Sequence, residues 1–354
     1  MSREEVTPMI TRRDMLIAAG SVCTALAQPV ANPPVANPRG RLGLGGSPTA
    51  FSAWLKANPQ GDFIDYCHSL GLGGAEVRGG PPTNPEAIAK LRDKIQSDNM
   101  HVIFNIRLPN TEADLPAYDA SVKAASQVGA FGLHAAMTGR RYETFSSLAD
   151  YQKSFEQNQR QVALAEPVLR KYKVRLAIEN HKGWRAVEQA AWMKRLGSDY
   201  VGVHFDFGNN VSFCEDPMFT LETLKPWIFS CHIKDMAVAP YEDGFLLSEV
   251  PLGEGFLDLK SMVNTLRQKD PNMVFDLEMI TRDPLKVPIY TGKYWLTFED
   301  IPARQVARIM EIIEKNPPKK PLPKTTGLSA PEQLKLEDAY NLACIHYARE
   351  NLGL

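Results

Sequence analysis

Between residue 40 and about 280 the chain alternates eight times between a short apolar or β-branched run and a longer stretch with apolar residues at helical spacing. The runs are RLGLGG at 41–46, GAEVR at 74–78, HVIFNIR at 101–107, AFGLHAA at 130–136, VRLAIEN at 174–180, YVGVHFD at 200–206, IFSCHIKD at 228–235 and MVFDLEMI at 273–280. Short runs joined by connectors long enough to hold a helix predict repeated βα units and a parallel sheet. Eight such units closed on themselves make an α/β (β/α)8 TIM barrel, in which catalytic groups sit at the C-terminal ends of the strands. An open doubly wound sheet competes, but Gly43-Leu44-Gly45-Gly46-Ser47 lacks the glycine spacing of a dinucleotide-binding turn. At 354 residues the chain can bury such a core in one large domain.

The ends of the chain read differently. Thr11-Arg12-Arg13-Asp14-Met15-Leu16 sets two arginines ahead of an apolar run reaching Leu26, which resembles a twin-arginine export signal. Ala25-Leu26-Ala27 offers a small-x-small cleavage pattern, and PVANPPVANP follows it. Residues 1–39 are therefore expected to be signal plus linker, and the mature protein to be periplasmic or otherwise extracytoplasmic. The barrel is expected at 40–315. A Pro-rich linker and a helix opened by Ser329-Ala330-Pro331-Glu332 fill 316–354, with Leu336, Tyr340, Ala343 and Tyr347 as the stripe packed on the barrel. PLKVPIYTGKYWLTF at 284–298 is too long and aromatic for a plain connector and is expected to wall a pocket.

Composition narrows the partners. The formal charge is -1, without long charged blocks, so neither nucleic acid nor a membrane is expected to bind the mature form. Five cysteines, at 23, 67, 214, 231 and 344, show no CxxC, and buried free thiols are the simpler expectation.

Four of the later runs end in the same kind of residue. Glu179 closes LAIE, Asp206 closes VGVHFD, His232 sits in FSCHIKD and Glu278 in VFDLEM. Each interval is long enough for a crossover helix, so the four would come from successive strands and meet at one mouth. Three carboxylates and an imidazole crowded together would repel one another or take up protons unless a cation held them. A divalent metal resolves that conflict.

The set IEN-H, H-x-D-x-G-N, CHIKD and LEM resembles the xylose-isomerase-like barrel family, often called sugar phosphate isomerases/epimerases, over roughly residues 40–315. The resemblance implies that Glu179, Asp206, His232 and Glu278 bind one divalent metal, and that Glu179 and Glu278 also act as acid and base. Three oxygens and one nitrogen favour Mn2+ as first choice, with Mg2+, Co2+ or Zn2+ as the other candidates. The expected reaction is isomerisation or epimerisation of a keto-sugar or sugar derivative, by proton abstraction through a metal-stabilised enediolate. Export favours a substrate without phosphate. A metal-dependent lyase or hydratase, working by β-elimination on a keto-glycoside, is the alternative, and a non-catalytic sugar-binding barrel stands last. An endonuclease-like barrel is disfavoured by the seven histidines and the lack of positive charge. Barrels of this type commonly pair, so a homodimer is admissible, but no segment marks an interface.

Weaker candidates surround these four. His181 is a candidate for a substrate hydroxyl or a helix cap, and Asn209 for a place near the metal or a turn in FGNN. Lys234 would hold an oxyanion or pair with Asp235. Arg78 and Arg107 close the second and third strands and would add positive charge at the mouth. Glu254, in the turn Gly253-Glu254-Gly255, would point inward or merely sit in a tight turn. His204, two residues before Asp206, is expected one layer deeper.

Overall fold

The computed structural model describes residues 43–354. All eight runs contain barrel strands: β1 (Leu44–Gly46), β2 (Gly74–Val77), β3 (His101–Asn105), β4 (Gly132–Ala135), β5 (Leu176–Glu179), β6 (Val201–Asp206) and β7 (Ile228–Ile233). A hairpin, β8 (Asp235–Tyr241) and β9 (Gly244–Val250), comes before the eighth barrel strand, β10 (Phe275–Leu277). Neighbouring barrel strands pair in parallel, and β1 pairs with both β2 and β10, so the sheet is a closed barrel and the open alternative is excluded. The connecting helices begin where the sequence supplies caps. Asn84 and Asp216 each accept two amides of the following turn, and each is followed by Pro at the first helical position. The export and cleavage patterns and the linker at 1–39 fall outside the described residues. No helix among the described residues is long and apolar enough to cross a membrane.

The hairpin was not foreseen from strand spacing. MAVAPYEDGFLLSEV pairs Tyr241 with Gly244 across a two-residue loop, and Asp243-Gly244 is a strong hairpin signal. Beyond β10 the aromatic connector supplies β11 (Leu285–Val287), which pairs antiparallel with β9. Its buried Tyr294 then donates a hydrogen bond to the Ser212 carbonyl at 2.7 Å, holding the segment over the loop that follows β6.

Strand alternation sends every second residue into the barrel, where branched aliphatics are usual. Here the interior is polar. Glu76 on β2 reaches His232 on β7 across the barrel, and His101 on β3 reaches Asp276 on β10 at 2.8 Å. The space for His101 comes from missing side chains: a Cβ on Gly74 would lie 2.0 Å from its ring, and one on Gly45 1.8 Å from Asp276 Oδ1. Gly74→Ala is therefore expected to cost about 1–3 kcal/mol by overpacking, read as a lower urea midpoint at unchanged slope.

The last helix, Ala330–Tyr347, opens at Ser329, whose amide donates to Glu332 as the sequence predicts. Its fully buried residues are Glu337, Asn341, Cys344 and Ile345; of the expected stripe, Tyr340 and Tyr347 pack half-buried against the core, while Ala343 is exposed. The reason is a capping problem elsewhere. Helix Ser52–Ala57 has no side-chain cap of its own, and Glu337 accepts the amides of Ala53 and Trp54 at 2.8 and 2.9 Å while Asn341 donates to the Ala50 carbonyl. Past this helix, Arg349 donates to the carbonyls of Leu70 and Gly71, and Arg267 to those of Leu352 and Gly353. The terminal segment thus bridges the first helices and helix Leu259–Lys269, completing the outer ring. Cys67, Cys214, Cys231 and Cys344 are free and buried, as expected.

Candidate active site

Strands β5, β6 and β7 and the residue after β10 bring Glu179, Asp206, His232 and Glu278 together. One potential ligand atom from each lies within 4.8 Å of the other three, and all four residues are buried. Donors on opposite sides of one ion, with bonds of about 2.0–2.2 Å, sit about 4.4 Å apart at most, so the set is close to what a single ion would gather. His232 Nδ1 is buried without a hydrogen-bond partner among the described residues, as a nitrogen kept for a cation would be. The set fits a divalent metal.

Lys234 does not pair with Asp235, as one expectation had it. Asp235 is occupied by the amides of Met236, Gly253, Gly255 and Leu257. Lys234 Nζ instead lies between two of these carboxylates, 2.7 Å from Asp206 Oδ2 and 2.8 Å from Glu278 Oε2. Burial works against its charge, but Asp206, Glu278 and Glu249 outweigh it and keep the ammonium protonated. Asn209 enters the site as well, donating to Glu179 Oε1 at 2.9 Å and accepting from Lys234 at 3.2 Å and from Lys182.

The other expected residues divide. His181 stands beside Glu179 with its Nδ1 donating to the Thr138 carbonyl; it does not cap the next helix, which starts after Arg185. Arg78 and Arg107 line an open cleft over β2–β4. Glu254 is not turned inward: it pairs with Lys320 at 2.5 Å, because the amides on either side of it bind Asp235 and face its side chain toward the C-terminal segment. His204 lies deeper, bonded to Ser230 Oγ at 2.7 Å.

Sequence reasoning missed Glu76 and His134. Glu76 accepts from His232 Nε2 at 2.8 Å and from His134 Nδ1 at 3.2 Å, and His134 Nε2 donates to Glu179 Oε2 at 3.2 Å. Burial pushes the Glu76 carboxyl up, yet His232 and His134 hold it well below the carboxylate range. Burial likewise opposes a charged His134, while Glu76 and Glu179 raise its pKa to about 9. Asp206 goes the other way, pushed up to about 7 by burial. A signal for Glu76 did exist: it precedes Arg78 by two, and alternate strand residues share a face. Lys182, Glu249 and Arg282 were also missed; Arg282 Nη2 is 2.5 Å from Glu249, and Glu249 Oε1 is 3.9 Å from Lys234.

Glu76 thus holds the His232 ring through Nε2 and leaves Nδ1 available to an ion. Such outer carboxylates fix ring orientation and raise ligand basicity. Glu76→Gln is expected to weaken Mn2+ binding about 10–100-fold, measured by calorimetric titration.

A sequence model of the xylose isomerase-like TIM barrel family matches residues 64–301. The chain belongs to this family. Among curated proteins it is 26% identical over 172 residues to the uncharacterized protein YihM of Escherichia coli (strain K12), covering 46% of this chain and 48% of that protein. It therefore spans about half the length of the curated relative it matches. Within the family fold, the structure of D-psicose 3-epimerase in the presence of D-fructose gives a TM-score of 0.53 at 15% identity, over 88% of this chain and 100% of that one. The probable 3-DHS dehydratase AsbF from Bacillus anthracis gives 0.52 at 14%, over 73% and 100%. At such identities the likeness is one of fold.

Proposed function

We propose that the protein is a divalent-metal-dependent isomerase or epimerase of a keto-sugar or sugar derivative. The convergence of Glu179, Asp206, His232 and Glu278 carries this reading. A divalent ion held by these four, Mn2+ as first choice, would supply a Lewis acid for a sugar carbonyl and its neighbouring hydroxyl. Glu179 and Glu278 are the acid–base pair. Asn209 and His134 each donate to one oxygen of Glu179, and Thr49 and Lys234 do the same for Glu278, so both carboxylates are held in fixed orientation. Burial raises the Glu278 carboxyl, but Lys234 and His232 more than offset it and keep it ionised, in the form that accepts a proton. Export through the signal proposed at 1–39 would put the protein outside the cytoplasm, and that supports a substrate without phosphate.

The test is to incubate metal-loaded protein with free and glycosylated keto-sugars in D2O and follow products by NMR. Deuterium at a carbon next to the carbonyl, with a new epimer or isomer, is expected. Release of a β-substituent would assign the lyase or hydratase chemistry instead. Protein that carries one metal per chain and yet exchanges hydrogen with none of the panel would overturn the assignment.

A further inference from the structure

The cleft above β2, β3 and β4 has a volume of ≈870 Å³ and reaches down to Asn105 and His134. His134 is hydrogen-bonded to Glu179, so the cleft floor lies one hydrogen bond from that carboxylate. Arg78 and Arg107 stand on its wall, just beyond the ends of adjacent strands β2 and β3. Among the described residues neither meets a carboxylate: Arg78 Nη2 donates to the Pro48 carbonyl at 3.3 Å, and Arg107 makes no hydrogen bond or ion pair. Asp114, the acid in the lining, accepts from the amides of Asn110 and Thr111 and from the Thr111 hydroxyl through a single oxygen, within its own turn. Gly79 and Gly80 leave the wall beside Arg78 bare. Two guanidiniums in one concavity create a positive potential, and their planar forks match an anionic oxygen pair.

We propose that the substrate carries an anionic substituent, which Arg78 and Arg107 hold in this cleft while the keto-alcohol end lies against Glu179 and Glu278. This rests on the isomerase/epimerase reading of the site. With an unphosphorylated substrate the substituent is a carboxylate, making the substrate class keto-sugar acids. Each cation sits outside the ligand cluster, so its contact is with a part of the sugar remote from the reacting carbon.

Matched ligands test this. Metal-loaded protein is titrated with D-fructose, D-fructuronate and D-fructose 6-phosphate, and with the corresponding tagatose trio, while deuterium exchange is followed in the same samples. The uronate is expected to bind at least tenfold more tightly than the neutral ketose. R78Q and R107Q should each reduce that preference severalfold, and R78Q/R107Q should bring the uronate to the neutral ketose's affinity, with metal content as the check on folding. Equal affinity for acid and neutral sugar in the wild type, or a preference that survives the double substitution, overturns the proposal. Tighter binding of the phosphate ester upholds the anion subsite and removes the carboxylate assignment. Exchange of neutral and acidic sugars alike at equal affinity would sink this inference alone, whereas acid-selective binding without exchange of any ligand would sink the isomerase reading and leave the subsite standing.

Discussion

Glu278→Gln is expected to slow solvent-hydrogen exchange into the substrate by about 10²–10⁴-fold, the usual contribution of a positioned acid or base. The amide keeps the side chain's shape, so Thr49 and Lys234 retain a partner, but it cannot take a proton from carbon. Glu278 is also a proposed metal ligand. The rate is therefore compared per bound metal, with occupancy measured by mass spectrometry on the same preparation. A loss confined to occupancy would make Glu278 a ligand only, and unchanged turnover per metal would remove it from the acid–base pair. Glu179→Gln should give a loss of similar size, and the two should not add, because the groups act as a unit.

Lys234→Met is the second large effect, and it is one on stability. The ammonium is wholly buried against Asp206 and Glu278, with Glu249 at 3.9 Å, so its removal leaves buried carboxylates without their counter-ion. Breaking a buried ion pair from one side costs about 3–5 kcal/mol. The metal-free variant should unfold at correspondingly lower urea concentration. Mn2+ should restore much of this, since a ligand present at a hundred times its dissociation constant adds about 2.7 kcal/mol. The variant should also gain more from Mn2+ than the wild type, because no ammonium then competes for the same carboxylates. An unaffected metal-free midpoint would show that Lys234 is not the balancing charge.

The residues legible in the sequence were those that broke a local pattern. Glu179, Asp206, His232 and Glu278 interrupt apolar runs at strand ends, and the structure brings these four to one point. Glu76 and His134 lie inside runs, where burial normally selects aliphatic side chains, and only partners from other strands account for them. Glu249 and Arg282 escaped because they belong to segments around the inserted sheet, which does not follow the βα repeat. Glu337 shows the limit of periodicity on a helix: apolar spacing marked Tyr340 and Tyr347, which do pack on the core, but only the uncapped amides of another helix account for a buried Glu337 beside them.

The terminal helix has a consequence for biosynthesis. It is made after all eight barrel strands, and until it arrives the amides of Ala53 and Trp54 wait without Glu337, and the carbonyls of Leu70 and Gly71 without Arg349. All eight barrel strands can therefore be synthesised while the first helices still lack these partners, an incomplete state of the kind that aggregates. A translational pause between β10 and residue 330 would prolong that interval, whereas the same pause ahead of β1 would not.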